Sequence, residues 1–256
     1  MSKLRLLTIA PSHYCEKARW ALDRVGAKFT EEARPPLFHL FRTKPNGGRS
    51  VPILFSPHGT IKDSTDILHF LDGWVDGAKK LFPTEPKDRK EVEDLEDYFD
   101  RSLGPATRRI AYHYVLRDKD YFIALNMGGL GALELRAFKV LAPVLMKAIK
   151  KGLHVDDEGK KRSEEKLEEV LLRVEKLLAD GRSFLVGDRF TAADLTFASL
   201  FAPVLLPDEY GIPGGKPSMA FPAFDAYVAS MRARPAGAFA LRMFREHRSE
   251  RVSNGA

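Results

Sequence analysis

The sequence predicts a small α/β region of order β-α-β-β-β-α followed by a larger all-helical region. Three observations carry this expectation. Short apolar runs alternate with amphipathic helical patterns through the first part of the chain. A stretch containing Gly77, Pro83 and Pro86 then interrupts the periodicity. Beyond it, every sustained pattern has helical period. The expected division is a first domain over 1–76, a linker over 77–87 and a helical domain over 88–256. A chain of 256 residues suits two modest domains of this kind.

Residues 4–10 read as a buried strand. Over 14–25, Tyr14, Ala18, Ala21, Leu22 and Val25 share a helical face, and Gly26 follows as a stop. Residues 28–33 suit a second strand. Residues 51–55 and 60–62 flank the turn Ser56-Pro57-His58-Gly59 and read as a hairpin. Ile67, Leu68, Phe70, Leu71 and Trp74 mark a helix ending at Trp74. A strand-helix-strand unit implies a parallel pair with a crossover helix, and the hairpin adds antiparallel strands. This order is the thioredoxin topology, so the fold class is a thioredoxin-like β-α-β-β-β-α domain followed by a helical bundle.

In the second half, 88–116 is predicted helical, with a kink or cap at Gly104-Pro105. Residues 121–151 form a second long helical pattern, and 152–162 a polar loop. The stripe Leu167, Val170, Leu171, Val174, Leu177 and Leu178 defines a helix over 163–180. Residues 191–206 suit an apolar, buried helix, 207–222 a loop, and 224–234 and 236–248 two final helices. No internal repeat is visible.

Composition narrows the function classes. Apolar runs are too short or too interrupted to span a bilayer, and the first residues lack a leader pattern. A cytoplasmic protein without membrane contact is expected. Cys15 is the single cysteine, which excludes an intrachain disulfide and a thiolate zinc site. The histidines are scattered, and no metal is expected. The net charge of +6 reflects arginines near the end, among them Arg232, Arg234, Arg242, Arg245, Arg248 and Arg251. They read as a solvated terminal helix. No basic motif interleaved with aromatics points to nucleic acid.

Four constellations stand out. Ser12-His13-Tyr14-Cys15 lies between a strand and a helix N-terminus, where unpaired amides and the helix dipole stabilise a sulfur anion. Ser12 reads equally as a plain N-cap, and Cys15 as a small buried residue. Val51-Pro52 begins a strand, and an ordinary trans proline is the base-rate reading. Asp63-Ser64-Thr65-Asp66 opens a helix whose first-turn amides suit a carboxylate and whose acids suit an ammonium group. Ser64 can cap this helix, and a plain N-cap is an equal reading of the motif. Thr191 and Asp194 have capping-box spacing, with Phe190 and Leu195 placed for a hydrophobic staple.

The Ser-x-x-Cys turn, Val-Pro before a hairpin, Asp-Ser opening a helix, and Gly187-Asp188-x-Phe190-Thr191-x-Ala193-Asp194 together resemble the glutathione transferase superfamily, from about Leu4 to Arg245. The resemblance implies a transferase that joins glutathione, as co-substrate, to a small hydrophobic electrophile. It implies that Ser12 activates the glutathione sulfur; cysteine-type members carry a nucleophile at that position. It implies that the Val51 backbone pairs with the cysteinyl part and that Pro52 is a cis-proline. Asp63 and Ser64 match the pair holding the γ-glutamyl end, and Arg49 or Lys44 would lie near the glycine carboxylate. Thr191 and Asp194 match the structural cap. The electrophile pocket would be lined by the helix around residues 98–114. A homodimer acting in detoxification is implied too. Two alternatives remain: a glutathione-dependent thiol–disulfide reductase or peroxidase using Cys15, and a non-catalytic ligand-binding or interaction module. His13 departs from the proline common in the family, and Ser50 from the usual lysine or glutamine before Val-Pro.

Overall fold

A computed structural model of the chain describes residues 4–212 and 221–252. Strand β1 (Leu4–Thr8) feeds helix α1 (His13–Arg24), and β2 (Phe29–Ala33) returns parallel to β1. Helix α2 (Leu40–Thr43) and a 3-10 turn (Lys44–Asn46) fill the connector, which sequence reading left featureless. The hairpin β3 (Ile53–Ser56) and β4 (Gly59–Ile61) then leads into α3 (Ser64–Asp72). The sheet order is β2-β1-β3-β4, with β1 and β2 parallel and the other pairs antiparallel. Leu6 sits opposite Leu54 in the register, and both are buried. Helices α1 and α3 pack together, burying Ala18, Leu22, Ile67 and Leu71.

The second half consists of α4 (Pro86–Val115), α5 (Lys119–Asn126), α6 (Ala132–Gly152), α7 (Asp157–Leu178), α8 (Ala192–Leu205), α9 (Pro222–Arg232) and α10 (Pro235–His247). Helix α8 is its axis. Every residue of it is buried, and it packs against α1, α4, α9 and α10. A helix apolar on all sides needs such a central place. Asp194 fastens its start: the carboxylate accepts from Thr191 N–H and Thr191 Oγ1, each at 2.8 Å, and from Leu185 N–H at 2.8 Å. Phe190 stacks on Trp20 with ring centroids 5.6 Å apart, joining the two halves. Among the described residues, no helix is long and apolar enough to cross a membrane.

The elements differ from expectation in several places. Helix α4 begins at Pro86, where Glu85 caps by accepting from Asp88 N–H at 2.8 Å. It then runs through Gly104-Pro105 without a break. Helix α3 stops at Asp72, short of Trp74, and its cap is Asp63 rather than Ser64: the Asp63 side chain accepts from Thr65 N–H at 2.8 Å. The pattern over 121–151 is two helices, parted where Gly129 takes a φ of 79°. The polar stretch 152–162 is mostly helical. Asp156 accepts from Gly159 N–H at 2.6 Å and starts α7 at Asp157, six residues earlier than the stripe suggested. The middle of the loop expected over 207–222, residues 213–220, lies outside the described residues.

The terminal arginines are only in part a solvated face: Arg232, Arg245 and Arg251 are exposed, and others are bound into the protein. Arg248 is buried and pairs with Glu16 at 2.6 Å and Asp23 at 2.9 Å, both on α1. Arg234 pairs with Glu175 at 2.9 Å and with Glu168. Arg24 pairs with Glu250 at 2.5 Å, and Trp20 Nε1 donates to the His247 carbonyl at 3.1 Å. The segment through Glu250 is thus bound back onto α1.

Candidate active site

Ser12 is the N-cap of α1, with extended backbone (φ −74°, ψ 121°). Its carbonyl accepts from Glu16 N–H at 2.9 Å, and its Oγ accepts weakly from Cys15 N–H at 3.4 Å. A helix leaves its first amides without internal acceptors, so this end carries positive potential. Ser12 opens onto a cavity of about 530 Å³. That volume suits a small organic ligand. Val51 and Arg49 line the same cavity. The Val51–Pro52 peptide is cis, against the base-rate reading. Val51 lies outside the β-ladder, which starts with Ile53 opposite Leu7, so its peptide groups are not committed to the sheet. Lys44 is exposed and does not line this cavity.

Cys15 does not reach the cavity. It is fully buried, and burial pushes its thiol up to about 11, against the pull of Arg19 and the Ser12 hydroxyl. A thiol in that state is a poor nucleophile at neutral pH. The first-turn position lowers a thiol's pKa only where the sulfur is exposed, and here α1 turns Cys15 inward. This speaks against Cys15 as a catalytic residue.

His13 is buried beside the cavity, and its Nε2 donates to the Gly104 carbonyl at 3.0 Å. Burial, helped by the positive charge of Arg108, lowers it to about 3, so it is neutral at pH 7. A neutral imidazole bonded to the Gly104 carbonyl ties α1 to α4. The Tyr14 hydroxyl donates to the Asp100 carbonyl at 2.7 Å. Tyr14 also borders a second, acidic cavity lined by Asp63, Asp66, Glu93, Glu96, Asp97 and Asp100. Ser64 is buried at the first turn of α3. The predicted residues therefore divide: Ser12, Arg49 and Val51 on the first cavity, Asp63 on the second, and Tyr14 between them.

A buried ion cluster underlies this junction. The Lys17 ammonium is completely buried, with Asp100 at 2.9 Å, Thr65 Oγ1 at 3.1 Å and Glu96 in direct contact. Burial pushes Asp100 up to about 6, while Lys17 pulls the other way. The cluster locks α1, α3 and α4 into one arrangement around both cavities.

The helix expected to line the electrophile pocket does so with one narrow face. Arg108, Ala111, Tyr112 and Val115 of α4 reach the first cavity. Tyr98, in the predicted range, faces α7 instead, with the Arg173 guanidinium 4.3 Å from its ring centroid. Tyr210, from the loop after α8, closes the wall by donating to the Pro11 carbonyl at 2.6 Å. Sequence reading missed Arg108, Tyr112 and Tyr210. The i, i+4 spacing of Arg108 and Tyr112, one turn beyond Gly104 on the same face, was the available signal.

Comparison with known proteins agrees with this geometry. Residues 6–78 match the family described as "Glutathione S-transferase, N-terminal domain", and residues 135–235 match "Glutathione S-transferase, C-terminal domain". The chain belongs to the glutathione transferase superfamily. Members of this superfamily bind glutathione, and membership supports a glutathione-dependent activity for the chain. No curated protein matches the sequence significantly. Among solved structures, the beta-etherase LigF from Sphingobium sp. strain SYK-6 shares 19% identity at a TM-score of 0.60, over 94% of this chain and 99% of that one. A glutathione S-transferase domain-containing protein from Marinobacter aquaeolei VT8 shares 22% identity at 0.56, over 91% and 99%. A glutathione S-transferase from Methylobacterium radiotolerans, in complex with glutathione sulfonate, shares 21% at 0.52, over 94% and 95%. At these identities the likeness is one of fold, and it covers this transferase-family chain almost end to end.

Proposed function

We propose that the protein is a glutathione transferase that conjugates the glutathione sulfur to small hydrophobic electrophiles, with Ser12 as the thiolate-stabilising group. One observation carries the reading. Ser12 lines a largely apolar cavity, while the single thiol is buried and held protonated.

The chemistry follows from the placement. Glutathione lies extended, with its cysteinyl part on the Val51 peptide beside Pro52 and its γ-glutamyl end at the start of α3. Asp63 there offers a carboxylate to the ammonium group, and the first-turn amide of buried Ser64 faces the α-carboxylate. Arg49 serves the glycine end. The Ser12 hydroxyl donates to the sulfur, and the N-terminus of α1 adds positive potential. Lowering a thiol by about two units from its usual value of about 8.5 takes about 3 kcal/mol of differential stabilisation. A hydroxyl donor and a helix N-terminus supply that order of energy. The thiol proton leaves to solvent. The sulfur lone pair forms a C–S bond at the electrophilic carbon, and the leaving group departs with its bonding pair.

The domain division at 1–76 and 88–256, a homodimer and a cytoplasmic setting belong to the same reading. The test measures conjugation of 1-chloro-2,4-dinitrobenzene and reduction of a glutathione mixed disulfide in wild type, Ser12→Ala and Cys15→Ser. The expected result is conjugation that falls at least about tenfold in Ser12→Ala, as for loss of one oriented donor, and persists in Cys15→Ser. Disulfide reduction that vanishes in Cys15→Ser, with no conjugation in any form, would overturn the reading. Glutathione binding without either activity would make the protein a ligand-binding module.

A further inference from the structure

We propose that Arg108 and Tyr112 form a carboxylate-recognising subsite in the first cavity, so that the second substrate is an apolar or aromatic electrophile bearing a negative charge. The proposal deepens the transferase reading and rests on it for the word substrate.

The arginines of this chain set the contrast. Arg19 pairs with Glu31 at 2.7 Å, Arg24 with Glu250 at 2.5 Å, Arg34 with Glu134 at 2.7 Å, and Arg248 with Glu16 at 2.6 Å. Arg109, the next residue along α4, donates to the Leu153 carbonyl at 2.8 Å and to Ser163 Oγ at 2.6 Å. Arg108 is half-buried and lines the cavity, yet it makes no hydrogen bond, ion pair or ring contact among the described residues. A guanidinium held on an apolar cavity wall without a protein partner keeps its N–H donors turned to the cavity contents. A residue in that state is completed by an incoming anion.

Tyr112 has the same character. It lies one helical turn beyond Arg108 on the same wall, and its hydroxyl has no partner among the described residues. A planar guanidinium with a phenol beside it matches a carboxylate, which accepts two N–H bonds from the fork and one O–H bond. The walls around the pair are apolar, from Ala111, Val115 and Ile149, so they favour a hydrocarbon body attached to the charged group. The positive field reaches across the wall: after burial, Arg108 is the next cause lowering His13, and it pulls Tyr112 down against its burial. Asp225 is the one carboxylate among the described lining residues. It is exposed at the start of α9, makes no ion pair with Arg108 among the described residues, and acts on Tyr121.

The experiment compares 4-chloro-3-nitrobenzoate with its methyl ester as electrophiles. In both, the glutathione sulfur forms a C–S bond at the chlorinated carbon and chloride leaves. The acid-to-ester ratio of kcat/KM is measured in wild type, Arg108→Gln, Arg108→Lys and Tyr112→Phe. Comparing ratios between proteins cancels the intrinsic reactivity difference of the two substrates. The ratio should fall about 10- to 100-fold in Arg108→Gln and less in Tyr112→Phe, as for a site that loses a charged hydrogen-bond partner. Arg108→Lys, which keeps the charge without the fork, should fall between. An unchanged ratio overturns the proposal. So does a raised KM for glutathione with the ratio intact, which would place the guanidinium on glutathione's own carboxylate. So does a raised kinetic pKa with both electrophiles, which would place it at the thiolate.

If neither electrophile reacts, the transferase reading fails and the subsite is judged by binding. Calorimetric titration of the glutathione-loaded protein with 3-nitrobenzoate, against methyl 3-nitrobenzoate, then decides. Binding of the acid that is lost in Arg108→Gln upholds the subsite. No binding of the acid to wild type overturns it.

Discussion

Gly104→Ala sets a local rule against a tertiary contact. Gly104 lies inside the 30-residue helix α4, and alanine in a helix interior is better than glycine by about 1 kcal/mol. On helix propensity alone the substitution stabilises. The structure predicts the reverse. A Cβ built at Gly104 would lie 2.6 Å from Tyr14 Cζ and 3.1 Å from Cε2, and closer still to the hydroxyl. The Tyr14 ring cannot yield freely, because its hydroxyl is tied to the Asp100 carbonyl at 2.7 Å and the ring lines both cavities. Overpacking of this kind costs about 1–3 kcal/mol. Breaking the Tyr14 hydrogen bond adds about 0.5–1.5 kcal/mol. After the helix gain, a net loss of about 0.5–3.5 kcal/mol remains. Urea unfolding of wild type, Gly104→Ala, Tyr14→Ala and the double variant measures it as a cycle. In the Tyr14→Ala background the added methyl has room, so Gly104→Ala should there be neutral or stabilising. A stabilising effect in the wild-type background, or simple additivity across the cycle, would refute the reasoning.

Three further outcomes are expected. Cys15, with its thiol near 11, should react with Ellman's reagent at pH 8 at least about a hundredfold more slowly in the native protein than in urea; equal rates would mean that the thiol is exposed. Lys17→Met should destabilise by about 3–5 kcal/mol in denaturant titration, because Glu96 and Asp100 are left facing each other, and adding Glu96→Gln should recover part of the loss. His13 has a folded value of about 3, below its ordinary 6.5, so the unfolded chain takes up its proton first. Its contribution is full above pH 6.5 and is lost as pH falls toward 3. Asp100 and Asp194, raised to about 6, work in the opposite direction, so the test is the difference between the stability–pH curves of wild type and His13→Gln. A flat difference between pH 7 and 4 would show that His13 titrates normally.

Much of the fold was readable along the chain, because strands and helices are set by periodicity and by punctuating residues. The short apolar runs at Leu4 and Ile53, the stop at Gly26 and the capping pair Thr191 and Asp194 are local signals, and the structure keeps them. Boundaries failed where a local rule met a long-range contact. Gly104-Pro105 reads as a break, but the glycine serves the approach of Tyr14, 90 residues earlier, and the helix continues. The polar stretch 152–162 reads as loop because its helix is mostly solvated, and its start depends on the Asp156 cap.

The site divides in the same way. By themselves, the residues placed a serine at a helix N-terminus, a Val-Pro before a strand and an acid-serine pair at another helix start. These depend on spacing within a few residues. Which way Cys15 faces, whether the Val51–Pro52 peptide is cis, and that Arg108 stands on the cavity wall without a partner among the described residues are properties of packing between distant segments. Burial sets the thiol's pKa, and α1 is covered by α8 and by the returning C-terminal segment, which no local window around Cys15 contains.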